Sequence, residues 1–213
     1  GILFYIIGNE VMMALCAVVV ASLLPFFLHN VFGYKTRMFI GDGGTLVFGT
    51  MMSMFVMNIL SSDSPCAAYA AQGIGLAPFA LAVFSIPVSD TVRVMTSRIL
   101  RGTSPFYPDK THLHHLFIDL GFSHTGTTLS ILFLNALVIA AWFIAYRAGA
   151  SIDLQFYIVF AMSFTATFIL HKYASDQIKK NGKCLAALQK IGRIMHFEKK
   201  GIWLKVQRIV DKF

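Results

Sequence analysis

Hydrophobic residues in this chain are gathered into long runs that are separated by short polar stretches. Five runs stand out, at about residues 11–32, 45–60, 73–88, 127–146 and 152–171. A helix of roughly 20 apolar residues crosses a bilayer core of about 30 Å. The second run is shorter than that, and the sequence does not mark its ends sharply. The pattern predicts an all-α fold, a polytopic transmembrane helix bundle with about five spans.

The composition agrees with a membrane protein. Of the 213 residues, 56% are hydrophobic and 13% are charged, whereas soluble domains carry about 25% charged residues. The chain opens on the apolar stretch GILFYIIG, which is typical of a helix that began earlier, so we expect it to be part of a longer protein. The cysteines are Cys16, Cys66 and Cys184, and their spacing indicates neither a disulfide framework nor a thiolate metal site.

Positive charge is concentrated at the C-terminal end. Residues 172–213 hold eleven Lys and Arg against three Asp and Glu, whereas residues 1–171 hold seven of each kind. Lys and Arg near span ends favour the cytoplasmic side. The loops after the first and third runs are basic, while the loop after the second run has no cation. We therefore predict that these two loops and the C-terminus are cytoplasmic.

The basic tail, residues 172–213, is predicted as a cytoplasmic segment distinct from a transmembrane core at residues 1–171. Near its end, apolar residues recur at helical spacing with cations between them; they are Ile202, Val206, Ile209, Val210 and Phe213. A basic amphipathic helix of this kind favours anionic membrane lipids. A solvated tail and nucleic-acid binding are the alternatives, and we expect no nucleic-acid partner.

The loop after the third run contains PDKTHLHHLF, with His112, His114 and His115. On a helix, His112 and His115 would share a face and His114 would point almost opposite. Arg93, Arg98, Arg101 and Lys110 belong to the same loop region. Arginine and histidine together suit an anionic substrate such as phosphate. A structural loop and a zinc site, which needs three or four convergent ligands, are the alternatives.

Two aspartates are further candidates. Asp42 lies in FIGDGGTLVFG where the second run begins, and it suits either a turn or helix cap or a Mg²⁺ ligand that shares the ion with substrate phosphates. No Walker lysine follows, so the segment is not a P-loop. Asp90 lies near the inner end of the third run, where an ionisable group suggests function. An ion pair with Arg93 that stabilises the end of a helix explains the presence of Asp90 equally well.

These residues carry a resemblance to a known family. MFIGDGGTLVFG, followed at a distance by IPVSDTVRVMTSRILRGTSPFYPDKTHLHHLFIDLGFSH, resembles the polyprenyl-phosphate N-acetylhexosamine-1-phosphate transferases, a group that includes undecaprenyl-phosphate GlcNAc-1-phosphate transferases. The resemblance covers roughly residues 11–124. Gly44-Thr45 stands where Gly-Ser is common, and this change keeps a hydroxyl. The family's aspartate-rich segments lie upstream of the matching region, so we expect this chain to be the C-terminal part of a longer enzyme.

The resemblance implies a bacterial inner-membrane enzyme. It would transfer sugar-1-phosphate, such as GlcNAc-1-phosphate, from a UDP-sugar to polyprenyl phosphate, releasing UMP and starting a cell-envelope glycan. By the motifs, Asp42, His112 and His115 become catalytic, with Asp42 a ligand of Mg²⁺ or Mn²⁺. Arg101 and His114 become contacts to the nucleotide diphosphate, and we add Asp90 and Arg93 as substrate-binding candidates. The resemblance leaves open whether the protein forms a homodimer.

Two other function classes stay open on the residues alone. A transporter fragment would use Asp90 and the histidines as an intramembrane proton relay, which requires that these groups face a cavity at mid-membrane. A membrane metal-binding protein would use His112, His114 and His115 as ligands, and bound zinc in the purified protein would favour it.

Overall fold

The computed structural model describes residues 1–33, 35–36, 38–70, 72–107, 111–197 and 201–212. The described residues form helices joined by short turns, without a strand among them. The α-helices are α1 (Ile2–Ile6), α2 (Glu10–Phe32), α3 (Gly41–Leu60), α4 (Ala67–Ala70), α5 (Leu76–Val83), α6 (Ser85–Leu100), α7 (Leu113–Asp119), α8 (His124–Arg147), α9 (Ile152–Phe164), α10 (Leu170–Lys180), α11 (Leu185–Ile194) and α12 (Ile202–Val210). A π-helix, Thr165–Ile169, joins α9 to α10.

Four of the five predicted spans are continuous helices of sufficient length and apolar character. They are Glu10–Phe32, Gly41–Leu60, His124–Arg147 and Ile152–Lys180 in the described part of the chain. The predicted all-α, polytopic membrane fold is confirmed. The last helix is longer than the predicted run, since it continues through the π-helix and α10 into the basic segment.

The third predicted span is the exception, because it is broken rather than continuous. Helices α5 and α6 together are long and apolar enough to span a membrane, but they meet at a bend of 73°. Pro87, two residues after the start of α6 at Ser85, has no N–H to donate into the preceding turn. The helix therefore breaks at Phe84, and α6 runs on to Leu100, well past the predicted end at residue 88.

Asn135 of α8 satisfies the backbone groups that the break leaves open. Its side-chain oxygen accepts hydrogen bonds from the Ile86 N–H at 3.2 Å and the Ser85 hydroxyl at 3.0 Å. Its side-chain amide donates to the Val83 carbonyl at 3.0 Å. Broken helices are tolerated at membrane depth where neighbouring side chains replace the lost backbone bonds. One amide thus serves the end of α5 and the start of α6.

A second buried amide fixes the start of the bent pair. Gln155 of α9 is fully buried, and its amide donates to the carbonyls of Gly73 and Ala150 at 2.9 Å each. Its side-chain oxygen accepts the Gly75 N–H at 3.1 Å. Asn135 and Gln155 therefore tie α5 and α6 to α8 and α9, which sets the position of α6.

The chain divides into two compact units. The first unit comprises Gly1–Gln72 and Glu198–Phe213, and the second comprises Gly73–Phe197. In the first unit, Phe4, Cys16, Val19 and Phe55 form a small apolar cluster. In the second unit, the bent pair, α7, α8 and the last span enclose a larger cluster that includes Ile86, Leu113 and Trp142.

The predicted division at residue 172 stays a prediction, and the structure describes the elements on both sides of it. Helix α10 continues the last span, and Leu185, Leu188 and Met195 of the α11 region pack against the core of the second unit. Helix α12 belongs to the first unit, where it packs against α2. There the Trp203 ring stacks on Phe32 at 5.4 Å between ring centroids.

The C-terminal helix also holds the loop that precedes α3. Asp211 Oδ1 accepts hydrogen bonds from the Lys35 N–H at 3.2 Å and the Thr36 hydroxyl at 3.1 Å. Since the Thr36 hydroxyl donates to Asp211, it accepts from His29 Nδ1 at 2.8 Å. The end of α2, the loop and the end of α12 are thereby joined in one hydrogen-bonded chain.

Candidate functional site

The centre of the candidate site is the carboxylate of Asp90, on the second turn of α6. Both Asp90 and Arg93 are buried, with 8% and 6% of their surfaces exposed. Arg93 donates to Asp90 Oδ1 from Nη2 at 2.7 Å and from Nε at 3.2 Å. The predicted Asp90–Arg93 pair is therefore present, and it is a close ion pair within one helical turn.

Asp90 also reaches across to the histidine segment. Its Oδ2 accepts a hydrogen bond from His112 Nδ1 at 3.0 Å, and both of its oxygens lie 3.2 Å from the Leu113 N–H. Arg93 Nη2 donates in addition to the Thr111 carbonyl at 2.6 Å. The two side chains of α6 thus hold three consecutive residues of the segment that carries the histidines.

This arrangement explains why α7 begins where it does. The first N–H groups of a helix have no partner within the helix, and the His112 side chain does not cap this one. The Asp90 carboxylate takes that role from another helix by accepting the Leu113 N–H. The buried face of α7, with Leu113, Leu116 and Phe117, then anchors the helix on the core of the second unit.

The three histidines form a row. The His112 and His114 ring centroids are 5.8 Å apart with nearly parallel planes, and those of His114 and His115 are 4.2 Å apart. The expectation that His114 would point away from the other two is wrong. It assumed helical backbone at all three residues, whereas His112 lies before the helix with extended backbone (φ −62°, ψ 153°).

The row of imidazoles has an electrostatic consequence. Partial burial lowers the pKa of His114 below its usual value, and the charges of His115 and then His112 lower it further. Adjacent protonated rings repel one another, which favours the neutral form. An anion placed beside the row would reverse this balance, because it would attract each protonated ring.

The remaining basic residues of the loop have separate roles. Arg98 is buried and donates from Nη1 to the Pro105 carbonyl at 2.6 Å, so it supports the turn that follows α6. Arg101, at the end of α6, is exposed, and its Nε donates to the Ser97 carbonyl at 3.1 Å. Lys110 lies outside the described residues.

His171 is a member of the site that sequence reasoning missed. It lies in α10 and lines the same groove as Thr111, the residue whose carbonyl accepts from Arg93. The only sequence signal was a histidine at the end of the fifth apolar run. The loop that leads into the histidine row is therefore flanked by two helices, α6 and the last span.

Asp42 belongs to the first unit, unlike the histidine segment, which belongs to the second. It is the second residue of α3, it is exposed, and Gly41 before it has φ +70°. The Thr45 hydroxyl donates to the Asp42 backbone carbonyl at 2.8 Å. A carboxylate in the first turn suits the positive end of a helix, and an exposed carboxylate oxygen is also the kind of donor that Mg²⁺ takes.

The histidine row does not amount to a closed metal site by itself. Within the residues that the structure describes, no group of three His, Cys, Asp or Glu side chains is arranged to hold a metal ion. The His112 ring nitrogen Nδ1 is engaged with Asp90. The zinc alternative therefore gains no support from these residues. A Mg²⁺ ion held by one carboxylate and by substrate oxygens is a different kind of site and requires no such group.

Comparison with known proteins shows that the chain is similar to a group of enzymes. A Haemophilus influenzae undecaprenyl-phosphate alpha-N-acetylglucosaminyl 1-phosphate transferase is 31% identical over 140 residues, 64% of this chain and 37% of that protein. The Salmonella typhi protein of the same name is 24% identical over 206 residues, 94% of this chain and 51% of that protein. The chain is a homologue of these transferases.

The homology extends over most of the chain, and the resemblance seen in the two motifs is confirmed. A Yersinia pestis relative with the same name is 30% identical over 125 residues. The chain spans about half the length, or less, of the curated relatives it matches, and the matched portion is C-terminal. No protein-family model matches the chain. No solved structure is significantly similar to it.

Proposed function

We propose that this chain is part of an enzyme that transfers a sugar-1-phosphate, GlcNAc-1-phosphate in the first instance, from a UDP-sugar to polyprenyl phosphate. An oxygen of the polyprenyl phosphate attacks the phosphorus that carries the sugar. The bond from that phosphorus to the bridging oxygen breaks, and UMP leaves with the electron pair. The product is a lipid-linked diphosphate sugar, which starts a cell-envelope glycan in a bacterial inner membrane.

The observation that carries the proposal is the row of imidazoles held by Asp90. Because Asp90 accepts from His112 Nδ1, the His112 ring is fixed with its other nitrogen, Nε2, available. His114 and His115 follow within stacking distance. When protonated, the rings of such a row donate to the oxygens of a diphosphate, and phosphoryl transfer depends mainly on positioning and on neutralising charge. We assign His112 and His115 to stabilising the transition state. We assign His114 and Arg101 to contacting the nucleotide diphosphate.

The roles of Asp90 and Arg93 differ from direct substrate contact. Both oxygens of Asp90 are engaged by protein donors, so we assign Asp90 to positioning the histidine row. Arg93 neutralises this carboxylate and holds the Thr111 carbonyl. Replacing either residue would act on the substrate through His112.

Asp42 is the residue that we assign to the divalent cation, Mg²⁺ or Mn²⁺. When bound, the ion would neutralise the charge that develops on the phosphate oxygens. The exposed carboxylate at the start of α3 fits an ion that takes one or two protein oxygens and fills its remaining positions with water and substrate.

The basic loops and the C-terminus belong on the cytoplasmic side in this proposal, where UDP-sugars are found. The cations of the tail favour anionic lipids at that surface. A homodimer is compatible with the proposal and is not required by it.

The proposal is tested with His112→Ala and His115→Ala in a full-length enzyme that carries this sequence. UMP release and label transfer to the lipid are expected to fall on the order of 10²–10³-fold, with protein level in the membrane unchanged. His124→Ala, an exposed histidine at the start of α8, is the matched control and should retain activity. Variants that vanish from the membrane yet keep their specific activity would make the histidines structural.

A further inference from the structure

A groove of about 890 Å³ lies in the second unit between α6 and the C-terminal half of the last span. It exists because the two helices diverge. Helix α6 packs against α9 and the π-helix, whereas α10 packs against α7 and α11 instead. The groove is adjacent to the histidine segment, since Arg93 and Thr111 form part of its lining.

One part of the groove lining is positively charged. Arg101, directly after α6, and Lys172 and Lys179 of α10 all line it, and both lysines are exposed. Asp176, the one acidic residue of the lining, is half-buried between the two lysines in sequence and offsets part of their charge. A net positive lining close to the Arg93–Thr111 contact favours an anion, and phosphate suits Arg and Lys donors.

The other part of the lining is apolar and belongs to the helix that spans the membrane. Phe164 and Phe168 line the groove with their rings stacked, 4.5 Å between centroids and 16° between planes. The π-helix begins directly after Phe164, and π-helical turns are frequent at functional sites. Ile169 beside them is 54% exposed. These side chains provide an apolar surface that suits a hydrocarbon chain.

Charge and apolar surface in one groove describe a ligand with an anionic head and a long hydrocarbon chain. We propose that the groove binds the polyprenyl phosphate acceptor, with the phosphate at Lys172 and Lys179 and the first isoprene units along Phe164 and Phe168. This inference rests on the proposed function. It places the acceptor beside the histidine row, and of the two substrates only the acceptor has a long hydrocarbon chain to lie along the apolar wall.

The first test is kinetic and uses a full-length enzyme that carries this sequence. Lys172→Gln combined with Lys179→Gln is expected to raise the KM for polyprenyl phosphate roughly 10-fold or more, with the KM for the UDP-sugar unchanged. Lys180→Gln is the matched control, because Lys180 is the next exposed cation of α10 but is not part of the lining. An unchanged acceptor KM in the double variant would overturn the proposal.

The second test separates the hydrocarbon chain from the phosphate. Phe168→Ala should weaken the use of a long-chain acceptor while leaving a short-chain, water-soluble isoprenyl phosphate unaffected. Phe160→Ala is its control, since Phe160 lies on the same helix and stacks on Phe164 but is outside the lining. Equal losses for both acceptors, or equal effects of the two phenylalanine variants, would contradict a groove that recognises the chain.

A binding measurement keeps the inference distinct from the proposed function. Radiolabelled polyprenyl phosphate is added to the purified full-length protein without a sugar donor, and binding is expected to fall in the double lysine variant. Unlabelled polyprenol and phosphatidylglycerol should compete poorly. If the double lysine variant loses binding but the wild-type protein transfers no sugar-1-phosphate, the proposed function alone would be refuted. Equal competition by phosphatidylglycerol would show a general site for anionic lipids and would overturn the inference.

Discussion

The Asp90 carboxylate accepts a hydrogen bond from His112 Nδ1 at 3.0 Å, across 22 residues of chain. The same carboxylate pairs with Arg93 and receives the first N–H of α7. A buried acid on one helix therefore orients the first imidazole of a row and caps the helix that carries the other two. Such partners fix both the orientation of a histidine ring and the nitrogen that bears its proton.

Asp90→Asn is expected to lower transfer on the order of 10–100-fold, the usual scale for removing a partner that orients a functional histidine. The amide keeps the shape of the side chain but loses the charge that balances Arg93. Hydrogen–deuterium exchange of residues 111–120 should rise in the same variant, because the amide has one accepting oxygen where the carboxylate has two, so either Arg93 or His112 loses its acceptor and the start of α7 is held less firmly. Asp119→Asn, an exposed acid at the end of α7, serves as the control. Wild-type activity with faster exchange would leave Asp90 a purely structural residue.

The lowered pKa of His114 predicts how binding of UDP depends on pH. Burial and the neighbouring imidazoles keep the ring neutral near pH 7, and a bound diphosphate would favour its protonated form. The affinity of the full-length enzyme for UDP should therefore rise as the pH falls from about 8 to about 6. Calorimetry in buffers of different ionisation enthalpy should detect uptake of protons on binding.

His114→Gln is the matching variant for this pH dependence, and it should flatten the slope. The folded protein should also lose stability as the pH falls below the usual pKa of histidine, since the unfolded chain takes up this proton more readily than the folded one. A dissociation constant for UDP that does not change across the pH range would contradict a role for the row in binding the diphosphate.

Asp42→Asn separates a metal ligand from a turn residue. An asparagine is as good as an aspartate at the start of a helix or in a turn, so the fold should be retained. A neutral amide oxygen holds Mg²⁺ poorly, so transfer should fall on the order of 10²–10³-fold, with partial recovery at high Mg²⁺. Steady-state assays over a magnesium series measure both effects, with Asp63→Asn in an exposed turn as the control. Near-wild-type activity at low Mg²⁺ would return Asp42 to the role of a turn residue.

Asn135→Leu tests the break between α5 and α6. The leucine would leave the Val83 carbonyl and the Ile86 N–H without their partner, which costs about 1–3 kcal/mol for each buried group. The unfolding temperature in detergent should fall clearly. Asn58→Leu in α3 is the control, because the side-chain oxygen of Asn58 is buried without a hydrogen-bond partner. Equal stability of the two variants would show that Asn135 is not needed for the bend.

The sequence by itself determined the membrane helices and singled out the candidate site residues along the chain. Long apolar runs are helical in a bilayer whatever their neighbours, because every backbone polar group must be satisfied within the segment. Four spans could therefore be predicted from composition and length alone. The two motifs, GDGG at residues 41–44 and THLHHL at residues 111–116, likewise pointed to the transferase homologues without any knowledge of the fold.

Only the tertiary structure decided how these parts are arranged. The break that Pro87 causes in the third span is stabilised by Asn135, about 50 residues away in sequence, which satisfies the Val83 carbonyl and the Ile86 N–H. His112 lies outside the helix because Asp90 replaces its side chain as the cap, and this brings all three rings into one row. Hydropathy and helical spacing report on neighbours within about one turn of a helix. Partners that come from another helix are invisible to them, and at this site those partners set the geometry.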